Sequence, residues 1–221
     1  MKYLLYLIYL TRHWNLSIAR HILIQDIKGW RKYGISTAGF DRLSSLSKKG
    51  IDLSHSSFYM PASYDLLALI FEYLAPKNIQ HLIDLGCGKG RSLCVAAHYK
   101  IPKLTGVDIS ENLLRNAKRN LTHTCKLIQP PPVFHLILND AFYYPIANSC
   151  DAIILYNPFD EVILSGVLNN IIESLNKHPR TLYIIYVSPV HYQLIKSSGF
   201  KKIFHYRQKE FLEVIIFCNS K

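Results

Sequence analysis

The 221-residue sequence predicts an α/β fold: a doubly wound sheet, mostly parallel with an antiparallel last strand, plus a helical extension at the N-terminus. Three observations lead there. From residue 81 onward strand-like and helix-like patterns alternate, which implies parallel strands joined by crossover helices. Gly86, Gly88 and Gly90 follow the first of these strands directly, where a backbone without Cβ atoms allows a ligand to approach closely. The last two strand-like runs, 201–207 and 211–218, are separated only by Gln208-Lys209-Glu210. That connection suits a hairpin and is too short for a parallel crossover.

The elements follow in chain order. The opening apolar run covers only Tyr3 to Leu10, well short of the roughly 20 residues of a membrane span. Thr11-Arg-His-Trp14 offers no small-residue cleavage site, so no secretory signal is expected. A helix packed on the domain is the preferred reading, and an interfacial helix with Arg12, Arg20 and Lys28 near lipid phosphates is its rival. Between 14 and 30, Leu16, Ala19, Leu23, Ile27 and Trp30 recur at three- and four-residue steps, predicting a helix with that stripe on one face and Gly34 just past its end. The Ser-, Gly- and Lys-rich stretch 36–57 reads as a connection. Ser63 is the expected cap of a helix running to about Tyr73, with Leu66, Leu67, Ile70 and Leu74 as its buried stripe. Strands are then expected at 81–85, 104–108, 134–139, 151–156 and 181–187. Helices are expected at 91–99, 111–121, 161–177 and, briefly, 191–197. Pro130-Pro131-Pro132 forms a stiff loop before the third strand.

Composition narrows the function classes. A hydrophobic content of 49% excludes general disorder. The formal charge is +11, and residues 1–60 hold nine basic side chains against three acidic ones, so an anionic partner or surface is a natural contact for that segment. Five cysteines without a CxxC pair point away from a zinc or redox motif and fit reduced thiols in a cytoplasm.

The glycine turn excludes two phosphate-binding loops. A P-loop would need glycine at Ile83 and Ser or Thr at Gly90. The dinucleotide pattern GxGxxG requires its third glycine at position 91, where the chain has Arg91. An acid ending the second strand, Asp108, sits where two ribose hydroxyls can each donate to one carboxylate. Taken singly, Asp84 reads as a capping carboxylate of the turn and Asp108 as a helix cap before Glu111. Together with the glycine spacing, those two single readings lose ground to a ligand lying across the turn.

Asp84-x-Gly86-x-Gly88-x-Gly90, followed by Gly106-Val-Asp108-Ile-Ser110, resembles the motif pair of class I S-adenosylmethionine-dependent methyltransferases, whose Rossmann-like sheet also ends in an antiparallel strand. The resemblance spans roughly residues 59–218. It implies S-adenosylmethionine as cofactor, held by Asp84, Gly86, Cys87, Gly88, Gly90, Asp108, Ile109, Asp140, Ala141 and Asn157, with Asp140 and the following N–H at the adenine ring. Asn157-Pro158-Phe159 resembles the fourth-strand motif of enzymes that methylate amino groups. Together with Tyr59-Met-Pro-Ala-Ser63, it is similar to a little-characterised bacterial subgroup. On that reading Asn157 and Pro158 carbonyls aim an amine nucleophile, while Phe159 and Tyr59 wall the substrate channel.

The expected organisation is thus a basic helical extension, 1–58, and a methyltransferase domain, 59–221. The expected activity is methyl transfer to an acceptor of unknown class (protein, nucleic acid or small molecule), with an amine such as protein lysine preferred and no metal required. The location is read as cytoplasmic, with the N-terminal helix a candidate for peripheral membrane contact. Two alternatives stand beside it. One is an oxidoreductase on a related sheet, disfavoured by the glycine register; the other is a non-catalytic cofactor-binding module that docks on nucleic acid or membrane through its basic segment.

Overall fold

The computed structural model describes residues 7, 8, 10–12, 16–38, 62–156, 160–209 and 212–219. Helix α1 spans Leu16–Tyr33, α2 spans Tyr64–Leu74 with a 3₁₀ turn at Ala75–Lys77, α3 spans Arg91–His98 and α4 spans Glu111–Leu127. Helix α5 covers Glu161–Lys177 and the short α6 covers Tyr192–Ser197. The strands are β1 (His81–Leu85), β2 (Lys103–Asp108), β3 (Val133–Leu138), β4 (Ala152–Tyr156), β5 (Tyr183–Val187), β6 (Lys201–Lys209) and β7 (Leu212–Cys218). They form one seven-stranded sheet in the order β3-β2-β1-β4-β5-β7-β6. Strands β1 to β5 pair in parallel, while β7 lies between β5 and β6 and runs antiparallel to both. The last strand of the chain therefore sits one place inside the edge, and the hairpin partner β6 closes the sheet.

Strand alternation builds a core on each face. Leu82, Leu104, Ile154, Ile185 and Ile216 join the cluster under α2, α3 and α4. Their neighbours Ile83, Ile153, Ile184 and Phe217 join the cluster under α5 and α6. The central strands β1 and β4 are buried on both faces, as a parallel sheet covered by crossover helices requires.

Several local expectations meet their physical cause. Ser63 caps α2 by accepting from the Leu66 N–H. Gly34 follows α1 with φ +67°, and its N–H donates to Trp30 O at 3.0 Å, the left-handed stop that glycine tolerates. Helix α4 runs six residues past the expected end at Leu121, because no breaker occurs before Pro130 and Thr124 continues the buried stripe.

One expectation needs correction. The stripe assigned to the first helix is rotated: Leu16 and Trp30 are 55% and 59% exposed, and the buried face is Ala19, Ile22, Gln25, Asp26, Gly29 and Tyr33. Two polar side chains occupy that face because each finds a partner. Gln25 exchanges bonds with Asp65, accepting from its N–H and donating to its carboxylate, and Asp26 pairs with Arg91. Gly29 is bare because the Tyr64 ring packs against it, and a Cβ there would lie 2.0 Å from Tyr64 Cε2.

Candidate active site

Parallel register brings the carboxyl ends of β1, β2, β3 and β4 to one edge, with Leu85 opposite Val107 and Leu155, and Asp108 opposite Leu138. The order reverses between β1 and β4, and such a switch point opens a crevice at the carboxyl ends of an open α/β sheet.

Immediately after Leu85 the chain turns through Gly86, Gly88 and Gly90 at φ +80°, +54° and +75°, a left-handed run that side chains rarely adopt. The Gly86 and Cys87 N–H groups both donate to Val107 O, at 2.8 and 3.0 Å, which ties the turn to the end of β2. Gly90 N–H donates to Cys87 O at 2.8 Å and opens α3. Beneath the turn lies Gly106, where a Cβ would come within 2.8 Å of Cys87 Sγ and Leu93 Cδ1. The spacing of glycines in the sequence thus corresponds to a loop held flat on the sheet end.

Asp108 is buried at the end of β2. The Gly88 N–H donates to its Oδ2 and the Ser110 N–H to its Oδ1, both at 2.8 Å. It is not the cap of α4. Ser110 fills that role, accepting from Leu113 N–H at 3.3 Å, so Asp108 is oriented toward the glycine turn instead. Asp84 shares the α3 face of β1 with Leu82 and accepts a bond from the Ser92 hydroxyl in the first turn of α3. It therefore braces α3 and does not cap the turn. Burial raises its pKa to about 7, the Ser92 bond draws it partly back, and the Asp108 charge adds a smaller rise. Cys87 is buried and its thiol is pushed well above its usual value, first by burial and then by the two carboxylates, so it is not a thiolate nucleophile.

After β3, the Asn139 side chain accepts from Asp140 N–H at 2.8 Å, and Asp140 Oδ1 accepts from Phe142 N–H at 2.9 Å. Ala141 is buried behind this turn and Ile109 is half-buried beyond β2. Nine of the ten expected cofactor residues, Asp84, Gly86, Cys87, Gly88, Gly90, Asp108, Ile109, Asp140 and Ala141, thus lie at or just beyond the carboxyl ends of three adjacent strands, β1, β2 and β3. Asn157, Pro158, Phe159 and Tyr59 lie outside the described residues. Strand β4 ends one residue before Asn157, and Asp160 caps α5 through the Val162 and Ile163 N–H groups. Among the described residues no group of His, Cys, Asp and Glu could hold a metal ion.

Residues 77–213, more than half of the chain, match the methyltransferase domain family. The chain belongs to this family. Solved structures agree in fold. The methyltransferase domain of bacterial CtHen1-CN superposes with a TM-score of 0.51 at 20% identity, covering 68% of this chain and 96% of that one. The ribosomal protein L11 methylase of Lactobacillus delbrueckii subsp. bulgaricus gives 0.52 at 15% identity, with coverages of 72% and 79%. A candidate methylase of Haemophilus influenzae gives 0.52 at 16%, with 71% and 98%. None of the curated proteins matches the sequence.

The methyltransferase also uses residues that the sequence did not single out. Arg91, the first residue of α3, is buried: its guanidinium donates to Thr37 Oγ1 at 2.7 and 2.9 Å, to Ala62 O at 2.6 Å and to the Asp26 carboxylate. Its charge also lies 4.3 Å from the Tyr64 ring centre. Asn120 on α4 donates to Lys89 O at 2.9 Å and to Ser36 O at 3.2 Å, and Lys89 Nζ donates to Ala38 O at 2.6 Å. Residues 34–38 are thereby laced to the glycine turn. A signal for Arg91 did exist. A cation in the first turn of a helix opposes the helix dipole, so its presence implied an acidic partner elsewhere.

Proposed function

We propose that this methyltransferase takes its methyl group from S-adenosylmethionine and delivers it to an amine nitrogen. The observation that carries the donor assignment is Asp108, whose carboxylate is oriented by the Gly88 and Ser110 N–H groups beside a left-handed glycine turn. The donor set fits a nucleoside. A carboxylate has about four acceptor positions, and two fixed bonds set its plane for a vicinal diol. The bare backbone of Gly86 and Gly88 leaves room for the ligand's chain, and Asp140 with the Ala141 N–H suits the edge of a purine.

S-adenosylmethionine supplies a methyl group on a cationic sulfur, transferable by in-line displacement without a metal. The protein's contribution is alignment, which supplies about 7–11 kcal/mol in favourable cases. On this reading the Asn157 and Pro158 carbonyls accept the acceptor's N–H bonds and aim its lone pair, and Phe159 and Tyr59 bound the channel. The Asn-Pro-Phe resemblance supports an amine such as protein lysine, and the same reading divides the chain into the basic extension 1–58 and the transferase domain 59–221.

Two experiments test the proposal. Calorimetric titration with S-adenosylmethionine and its demethylated product is expected to show binding of both; none at about 1 mM, the range of a −4.1 kcal/mol interaction, would remove the donor. A radiolabelled transfer screen against fractionated lysate identifies the acceptor. With that acceptor, Asn157→Ala is expected to lower kcat far more than cofactor affinity, since its bond strengthens as the nitrogen gains charge. Unchanged kcat at unchanged folding would end the amine assignment.

A further inference from the structure

On its outer face α4 carries Arg115, Lys118, Arg119, Thr122, His123 and Lys126, all exposed and all lining one cleft of about 480 Å³. The positions step by three and four residues and so form a single stripe. From the first to the last the stripe runs about 16 Å along the helix. Glu111 is the only acid of α4; it pairs with Arg115 at 3.2 Å, while Lys118, Arg119 and Lys126 have no acidic partner among the described residues.

We propose that this face of α4 is a docking surface for the phosphate backbone of a nucleic acid. A row of cations that protein carboxylates leave unneutralised complements a row of phosphates, and several consecutive phosphates fit within its length. A lipid surface suits it less well. An interfacial helix turns an apolar face to the membrane, but Leu113, Leu114, Ala117 and Leu121 of α4 are buried in the protein, and its one exposed leucine, Leu127, stands alone at the C-terminal end and forms no such face. None of the six cleft residues is aliphatic or aromatic apart from the His123 ring. Helix α4 begins at Glu111, directly after Ser110, whose N–H is bonded to Asp108. A strand lying along the stripe is thus led toward the carboxyl edge of the sheet. The surface belongs to α4 alone and requires neither the cofactor nor that the bound polynucleotide be the methyl acceptor.

The test is fluorescence anisotropy of a labelled single-stranded RNA of mixed sequence over a salt series, with the full chain and two triple variants. One is Lys118→Ala/Arg119→Ala/Lys126→Ala. The other, at the opposite edge of the sheet, is Lys196→Ala/Lys201→Ala/Lys202→Ala on α6 and β6, where the three lysines are also exposed. The α4 variant is expected to lose about tenfold in affinity and to flatten the slope of log K against log salt by about 2, from three contacts at about 0.7 each. The control is expected to keep both values, and phosphatidylserine-containing vesicles to leave the RNA bound. Equal losses in the two variants, a wild-type result for the α4 variant, or displacement of RNA by vesicles would each overturn the proposal.

Discussion

Asp84 and His81, at opposite ends of β1, titrate with opposite signs. Asp84 is raised to about 7, so between the ordinary 3.8 and about 7 the folded chain holds a proton that the unfolded chain has lost. Its contribution to stability is full below 3.8 and is lost as pH rises through about 7. His81, buried between Thr105 and Ser149, is lowered to about 4, by burial first and by Lys103 next. Its contribution is full above 6.5 and is lost as pH falls toward about 4. Across the shared window the two slopes oppose each other. Asp84→Asn is expected to unmask the histidine, so the variant loses stability on acidification from about pH 6.5 to 4 more steeply than the parent. Denaturant midpoints over that range check this, and parallel curves would contradict it. On the proposed donor assignment, replacing Asp108 by Ala is expected to weaken S-adenosylmethionine binding by about 1–3 kcal/mol, because two ribose donors would be left unpaired. Normal affinity with a lower melting temperature would mean that Asp108 serves only to tie Gly88 and Ser110.

At the scale of elements, what the sequence showed clearly was whatever a short window encodes. Strands β1 to β5 appeared in the right order because their apolar runs are bounded by turns, and the three glycines marked a bare backbone at the end of β1, which the structure bends through positive φ. The buried face of α1 was not legible. A stripe of Leu16, Ala19, Leu23, Ile27 and Trp30 matches helical spacing as well as the true one does, with only Ala19 common to both, and the choice is made by Arg91, 65 residues from Asp26. No local pattern carries a partner at that distance. The ion pair holds α1 against the start of α3 with both side chains almost wholly buried. Asp26→Ala leaves a buried guanidinium without its countercharge and is expected to cost about 3–5 kcal/mol. Chemical denaturation measures it, and a loss under about 1 kcal/mol would show that Thr37, Ala62 and Tyr64 suffice to hold the charge.

For the whole molecule, the limits drawn by sequence and by packing differ. The family match starts at residue 77, after α2 has ended, and the sequence divides the chain near residue 58 by composition. Packing reaches further back. Tyr33 and Ile35 belong to the main cluster under α2 to α4, and Tyr33 stacks on Tyr64 with ring centres 5.4 Å apart. Lys28 and Gln25 bond Asp65, Thr37 Oγ1 lies 2.9 Å from Tyr64 Oη, and Ser36 exchanges bonds with Asn120. A fragment beginning at residue 59 would expose that part of the core and leave Arg91 buried without Asp26. Its melting temperature is expected to fall by about 10 °C or more, since 1 kcal/mol shifts a chain of this size by about 2–4 °C and the ion pair alone accounts for about 3–5 kcal/mol. The glycine turn should loosen with it, because Ala38 no longer accepts from Lys89 and Ser36 no longer holds Asn120 over the loop, so cofactor affinity is expected to drop in the fragment even well below its melting point. Calorimetry of fragment and full chain, scanned for melting and titrated with S-adenosylmethionine, separates the possibilities: equal melting and equal affinity would make residues 16–38 a dispensable extension, whereas losses in both would make them part of the catalytic domain.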